Sequence, residues 1–478
     1  MARFEYDIGI IGGGAAGLTV ASGAAQLGAK TLLVEKEEAL GGDCLHFGCV
    51  PSKTLIKSAR MYHQIGQTEK YGLPRVTAAP VDFSRVSERI AEVISQIQHH
   101  DSVERFSGLG VNVRFGNPQF TDENSLDLNG KQVTAEKWVI ATGSSAAIPP
   151  IPGLESVEIL TNKNIFSLTE LPDSLIILGA GAIALEMAQS FQRFGSKVTV
   201  LQRSKQILSK EDTDLADMVM KTMEKDGVCF HLGCNFISVE ETGGRKTVTF
   251  RCEDGKEMTV SGSHLLVALG RTANVSGLNL ESCGVNYKPS GIEVDNRLRT
   301  SRKHIYAAGD VNGGYQFTHA AGYEGGVVLT NAVLHLPRKV NYRWMCWCTY
   351  TSPELASIGM NEKRAAAEGR QYGLHEELFS DNDRAQTEGI TDGKIKLLLD
   401  KKDKPLGVQI LGPHAGDLLA EWVAALNGTL RLSTIAGAIH PYPTFAEINK
   451  RVTGSVLSPK LFSGKVRKIL KLLFKFRG

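Results

Sequence analysis

One pattern occurs twice in this 478-residue chain and limits what it can fold into: a glycine-rich turn set between a β-strand and a helix. The first copy runs from the apolar strand YDIGII, residues 6–11, into Gly12-Gly13-Gly14-Ala15-Ala16-Gly17, followed by an Ala-rich helical stretch. A second strand, TLLVEK, then brings Glu35 into place 21 residues after Gly14. This is the full strand–turn–helix–strand context of a dinucleotide site, where a lone G-x-G-x-x-G would say little. Gly12 makes the turn, Gly14 lets backbone approach a pyrophosphate, and Gly17 lets helix pack on strand. The helix N-terminus faces the phosphates, and Glu35 accepts hydrogen bonds from a ribose diol. Ala16 and Lys36 complete the expected contacts.

The second copy, SLIILGAGAIALEMAQSFQRFGSKVTVLQRS, gives strand, Gly179-Ala180-Gly181-Ala182-Ile183-Ala184, helix and strand. Its closing strand ends in Gln202-Arg203 with no acid. A carboxylate there suits a free 2′-hydroxyl and an arginine suits a 2′-phosphate, so this site leans to NADPH over NADH. Gly179, Gly181, Ala182 and Ile183 are its expected contacts, with Gly270 on a later loop. Two fingerprints imply two dinucleotides, one held permanently and one exchanging. Two further stretches fit: WVIATGSSAAIPPIPG, a strand turning at Thr142-Gly143, and HIYAAGDVNG, a strand ending in Gly309-Asp310. An aspartate at a strand C-terminus lies where open α/β sheets bind ligands.

The length favours about three domains. Fifty glycines accord with many tight strand–helix turns, and a net charge of +3 gives no nucleic-acid bias. The N-terminus lacks the pattern of a secretory signal, and no run of apolar residues is long enough to span a bilayer, so the expected setting is cytoplasmic.

The segment GGDCLHFGCVPSK, residues 41–53, holds Cys44 and Cys49. Residues five apart in a regular helix lie beyond about 7 Å at Cα, too far for a disulfide. Gly48 and Pro51 can distort the segment enough to close it, giving a labile bond, and Lys53 would lower a thiolate's pKa. Three readings stand on the residues alone: a redox disulfide, half a metal site with Cys346 and Cys348, or two small buried residues. Cys229, Cys234, Cys252 and Cys283 lie in strand or turn contexts and carry no assignment.

Together these motifs resemble the flavin-dependent pyridine nucleotide–disulfide oxidoreductases, the group of dihydrolipoamide dehydrogenase, glutathione reductase and mercuric reductase. The resemblance runs from IGIIGGGAAG to HPYPTFAE, residues 440–447. It implies an α/β chain with two Rossmann-type domains and an α+β interface domain that forms a homodimer. The implied boundaries are 1–150 and 273–342 for FAD, 151–272 for NAD(P), 343–457 for the interface and 458–478 for a tail. Electrons would pass from NAD(P)H through FAD to Cys44–Cys49, with Cys49 against the flavin and Cys44 facing substrate. Lys53 would pair with Glu186, Asp310 would hold the ribityl chain, and Gly42, Thr142, Gly143, Arg271 and Gly309 join the FAD set. No metal ligand set is implied, and Cys346 and Cys348 read as structural.

Dithiol-reducing members carry His-Pro-Thr-x-x-Glu near the C-terminus, with the imidazole as acid–base and the glutamate orienting it. Aligned on Pro-Thr and Glu447, this chain has Tyr442 at the base position, and His440 falls two residues early. A phenol is a poor base near neutral pH. Mercuric reductase also places a tyrosine here, but ends in a cysteine pair, whereas this chain has no cysteine after Cys348. The expected acceptor is therefore a disulfide, a metal ion or a quinone-like compound. Dihydrolipoamide dehydrogenase, a diaphorase in which the cysteines do not turn over, and a flavin redox sensor are the alternatives. The tail, SPKLFSGKVRKILKLLFKFRG, has seven Lys or Arg and no acid. Val466, Ile469, Leu470 and Leu473 form one stripe, which reads as a basic amphipathic helix lying on the inner membrane face or docked on its own dimer.

Overall fold

The computed structural model describes residues 4–252 and 255–476. It separates into two compact units, one from the chain up to His63, Ala78–Arg203 and Cys234–Asn341, the other from Gln64–Thr77, Ser204–Gly233 and Tyr342 onward.

In the first unit, strands Val111–Phe115, Thr31–Glu35, Tyr6–Ile11 and Lys131–Ile140 run parallel in that order, and Ile305–Ala307 runs parallel to the end of Lys131–Ile140. The central stretches of these strands are apolar because both faces are covered, and Leu32, Leu33, Val34, Trp138, Val139 and Ile140 are all fully buried. Helix Ala15–Gln26 and helix Thr318–Ala332 approach closely through small residues. A Cβ on Gly23 would lie 2.3 Å from a Leu329 methyl, and one on Gly325 would lie 2.9 Å from the Ala16 carbonyl. Register aligns the strand ends: Ile11 opposes Val34 and Ile140, and Ile140 opposes Ala307. The turns that follow, at Gly12, Glu35, Thr142 and Gly309, therefore share one carboxyl edge, the ligand-binding edge of such sheets.

The same unit holds a second parallel set, Lys197–Leu201, Ser174–Leu178 and His264–Val267, with helix Ala182–Phe194 after the middle strand. Strands Asn235–Thr242, Arg245–Arg251 and Glu257–Gly262 add an antiparallel meander. The architecture is α/β with two dinucleotide-type sheets.

The second unit is built on five antiparallel strands in the order Cys346–Thr349, Glu354–Gly359, Pro405–Gly412, Lys394–Leu399 and Gly373–Leu378. Helices Ala415–Asn427 and Glu447–Leu461 share its core, where Trp422 is buried and donates to Asn449 at 2.8 Å. Residues 458–461 finish that second helix, and the tail helix proper is Gly464–Lys475, N-capped by Ser463 and with no buried residue.

Candidate active site

Cys44 and Cys49 do not share a helix. Cys44 lies in the short helix Gly42–His46, and Cys49 opens helix Cys49–Ile65. The break falls at Phe47-Gly48, where a Cβ on Gly48 would stand 2.9 Å from the Asp43 carbonyl and 3.4 Å from the Cys44 Cα. Glycine lets the backbone fold back there, and Pro51 sits in the first helical turn, where its missing N–H costs nothing. Both cysteines are free thiols, and each sulfur shifts the pKa of the other. The neighbouring Cys44 thiol is the largest influence holding the Cys49 pKa down to about 6, reinforced by the Thr318 hydroxyl 3.4 Å away and the charge of Lys53. The same pairing, with burial, pushes the Cys44 thiol up. Lys53 Nζ lies 2.9 Å from Glu186 Oε2, joining the cysteine helix to the helix of the second fingerprint, and Glu186 is buried.

The cysteine segment is tied to the nucleotide edge by Asp43. Its carboxylate accepts from Arg271 at 2.8 Å and from Asn162 at 3.0 Å, and Asn162 also donates to the Phe47 carbonyl. Arg271 donates to the Ser144 hydroxyl at 2.7 Å and lies 3.6 Å from Asp310. Ser144 in turn donates to Asp310 at 2.5 Å. Burial raises the Asp310 pKa, partly offset by the Ser144 bond and Arg271.

The first fingerprint fits a dinucleotide. Gly12 has φ +110, with the Ala141 carbonyl 2.3 Å from any added Cβ, and a Cβ on Gly17 would sit 1.9 Å from the Gly12 carbonyl. These two glycines are required by packing. Gly14 differs: a Cβ there would meet only the Gly42 Cα at 3.9 Å, so its space is kept for something other than protein. Gly14 caps its helix without a side-chain bond, leaving the terminal amides for an anion. Gly42, at φ +59, backs directly onto Gly14 and so seats the cysteine helix against this turn. Glu35 accepts from the Gly13, Lys36 and Glu37 amides at 2.6, 2.7 and 2.9 Å, which fixes the carboxylate at the strand end. Ala16 is buried and the Lys36 side chain is exposed. Thr142 and Gly143 are stitched to Asn274 by three hydrogen bonds. Gly309 has φ +80, and its amide donates to the buried Glu324 at 2.7 Å. These residues suit FAD.

The second fingerprint repeats this logic. Gly179 has φ +107 and faces the Ala268 carbonyl, while Gly181 meets nothing and its helix also lacks a side-chain cap. Ala182 is half-exposed and Ile183 exposed beside it, and Gly270 has φ +127 with open space around it. Arg203 is exposed at the strand end, and the Gln202 carbonyl accepts from the Cys234 amide at 2.9 Å. These residues suit a nicotinamide dinucleotide.

The C-terminal motif belongs to the second unit. The Tyr442 hydroxyl donates to Asp383 at 2.9 Å, and this acceptor raises its pKa. Glu447 opens helix Glu447–Leu461 and is the weakest of the influences on that phenol. His440 is engaged at both ring nitrogens, by Glu421 at 3.0 Å and the Ala438 carbonyl at 3.3 Å. Cys346 and Cys348 pack against this unit's core. The one acidic cluster with metal-like spacing among the described residues, Asp212, Asp214 and Glu362, surrounds the buried Lys396 ammonium and is neutralised by it.

Sequence reasoning named the cysteines, Lys53, Glu186, Arg271 and Asp310, but not Thr318, Ser144, Asn162, Glu324 or Asp383. Thr318, Ser144, Asn162 and Asp383 are single polar residues far along the chain from their partners, and Glu324 sits inside an apolar helix with no motif around it.

Comparison with known proteins accords with this geometry. The pyridine nucleotide-disulphide oxidoreductase family matches residues 6–325, and the dimerisation domain of the same group matches 345–452. The chain is 33% identical over 447 residues to a mercuric reductase of Bacillus cereus, covering 93% of this chain and 70% of that protein. It is 34% identical over 447 residues to a dihydrolipoyl dehydrogenase of Bacillus subtilis, covering 92% and 96% respectively. Among solved structures, the Cu(II) complex of the HOCl-induced flavoprotein disulfide reductase RclA from Escherichia coli superposes with a TM-score of 0.84 at 27% identity, covering 94% of this chain and 99% of that one.

Two outcomes follow from these contacts. In Gly17→Ala the new methyl has no room, so soluble folded protein is lost at a cost of about 1–3 kcal/mol or more. In Gly14→Ala the fold persists and bound flavin is lost. Circular dichroism and flavin absorbance on the two variants separate these effects. Second, Cys49 alkylation by iodoacetamide in reduced enzyme is half-maximal near pH 6. Cys44→Ala removes the main donor and moves that midpoint up toward about 8.5, the value of an ordinary thiol. Because the folded pKa is depressed, the stabilisation that Cys49 contributes is present above the free-thiol pKa and fades as pH falls through 6.

Proposed function

The chain belongs to the pyridine nucleotide-disulphide oxidoreductases, and on that premise we propose that it uses NADPH and the Cys44–Cys49 couple to reduce a thiophilic metal ion. The family works with FAD and a nicotinamide nucleotide and forms dimers through its C-terminal domain. FAD, held by the residues of the first fingerprint, would supply the two-electron relay between the nicotinamide and the disulfide. The residues of this chain do the rest. Arg203 receives the 2′-phosphate. Lys53, oriented by Glu186, keeps positive charge beside the cysteines. Thr318 and the Cys44 S–H stabilise Cys49 as thiolate, leaving Cys44 as the sulfur presented to the acceptor. As the reduced couple closes, two electrons leave, enough for one two-electron ion or two one-electron ions.

The observation that carries the choice of acceptor is the engagement of the C-terminal motif. The residue at the base position is a phenol bound to Asp383, and the nearby imidazole has both nitrogens occupied. Dithiol exchange needs a base to take and return the thiol proton. Metal reduction instead needs sulfur ligands and an oxygen ligand, which Cys44, Cys49 and Tyr442 provide when homodimerisation brings one protomer's motif to the other's cysteines. The mercuric reductase relatives and the Cu(II)-bound RclA support the same class of acceptor.

The tail helix Gly464–Lys475 carries five lysines or arginines and no acid, and Ile469, Leu472, Leu473 and Phe474 are more than half exposed. Two copies would repel, whereas an anionic lipid surface satisfies both the cations and the apolar face. No helix among the described residues is long and apolar enough to cross a bilayer. We assign this helix to peripheral binding of anionic lipid.

The acceptor reading is tested by NADPH oxidation with Hg(II), Cu(II), dihydrolipoamide-derived disulfide and a quinone. Metal turnover is expected to exceed disulfide turnover and to fall about a hundredfold or more in Cys44→Ser, with quinone turnover retained. Metal turnover unchanged in Cys44→Ser contradicts the proposal and leaves a diaphorase. Lipid binding is tested by co-sedimentation with phosphatidylglycerol and phosphatidylcholine vesicles. The full chain pellets with the anionic vesicles in a salt-sensitive way and Leu473→Glu does not; equal pelleting with both lipids, or none, overturns the assignment.

A further inference from the structure

We propose that Cys234 and Cys252 form a second dithiol–disulfide couple, closed across two strands by a peroxide-class oxidant, and that closure disturbs the strand end reading the nucleotide ribose. The coupling to the ribose rests on the reading of Arg203 given above; the disulfide itself does not.

The two sulfurs lie 4.0 Å apart. Cys234 precedes strand Asn235–Thr242 and Cys252 follows strand Arg245–Arg251, one step beyond the register pair Asn235–Arg251. Neither amide bonds across to the other strand. Cys234 N donates to the Gln202 carbonyl at 2.9 Å, and Cys252 N donates to the Lys256 carbonyl at 3.3 Å. The two residues therefore face each other as a non-hydrogen-bonded pair, whose Cα atoms lie about 4.5 Å apart in such ladders. That separation is within the disulfide range, so the sulfurs need to close by about 2 Å through side-chain rotation and a small strand shift.

The environments divide the roles. Cys252 is half-exposed and open to a small oxidant, whereas Cys234 is fully buried among Val239, Phe250 and Leu265. Burial first, then the neighbouring Cys252, pushes the Cys234 thiol up to about 12, so Cys234 stays protonated until its partner is oxidised. The Cys252 sulfur attacks one peroxide oxygen, the O–O bond breaks, and a sulfenic acid and water form. The Cys234 sulfur then attacks that sulfenic sulfur, the S–O bond breaks, and a second water leaves. Two thiols are oxidised and one peroxide is reduced. Cys283, by contrast, gives its S–H to the Leu280 carbonyl at 3.2 Å.

Closure pulls on the Cys234 amide, which holds the Gln202 carbonyl immediately before Arg203. A displacement near 1 Å is enough to misplace a phosphate-binding arginine.

The test uses the full-length holoenzyme, reduced with dithiothreitol, desalted and treated with hydrogen peroxide. Free thiols are blocked with iodoacetamide before digestion and peptide mass analysis. The expected product is a Cys234–Cys252 linked peptide, distinct from any Cys44–Cys49 peptide and abolished by dithiothreitol. In the linked enzyme the KM for NADPH rises threefold or more with kcat little changed, and reduction restores it. Cys234→Ser, or Cys252→Ser at the more open position, loses the link and keeps the low KM after peroxide. Free thiols at both positions, a link to another cysteine, or a linked enzyme with unaltered KM overturns the proposal. Arg203→Glu in reduced enzyme separates the premise: if it leaves the NADPH KM unchanged the ribose reading fails, while the peptide mass still decides the couple.

Discussion

The pairing of the Cys44 thiol with the Cys49 sulfur organises this structure's chemistry. It exists because Gly48 lets the backbone fold back on Asp43 and Cys44 where a side chain would not fit. The pairing makes the two sulfurs unequal, holding Cys49 near a pKa of 6 and pushing the Cys44 thiol up. Everything around it keeps that division. Thr318 adds a second donor, and the Lys53–Glu186 pair holds a cation within reach without leaving it free to swing away. Asp43, clamped by Arg271 and Asn162, fixes the segment between the cysteines to the edge of the sheet.

That clamp also couples the two halves of the chemistry. Arg271 reaches Asp43 on one side and Ser144 and Asp310 on the other, so the cysteine segment and the Ser144–Asp310 pair share one guanidinium. Gly42 and Gly14 stand back to back at the first glycine-rich turn. A change in the cradle is thus felt at the cysteines through rigid, short contacts.

Much of this was legible in the sequence because it is encoded locally. Gly12, Gly14, Gly17 and Glu35 lie within one strand–turn–helix–strand unit, and Cys44, Cys49 and Lys53 lie within one short segment. Local spacing and glycine chemistry are enough to read them. The partners Thr318, Ser144, Asn162 and Glu324 were not legible, since each acts across more than a hundred residues or from inside a helix with no composition signal of its own. Glu324 is the clearest case: a buried glutamate in an apolar helix, holding Gly309 and Asn312, that only the folded chain explains. The C-terminal motif shows a different limit. Register identified Tyr442 as the residue at the base position, but its acceptor is Asp383, on helix Asp383–Glu388, and His440 turned to Glu421. Cys234 and Cys252, unremarkable in the sequence, meet only because a hairpin brings their strand ends together.

The central claim is that the Cys44–Cys49 couple stands between the flavin and the acceptor. Anaerobic titration with NADPH tests it most directly. The account predicts that each subunit takes up two electrons beyond those taken by its flavin, with a thiolate–flavin charge-transfer band growing as Cys49 is released, and that Cys49→Ser abolishes both. Uptake that stops at the flavin, with the two cysteines unchanged by thiol counting, would contradict it.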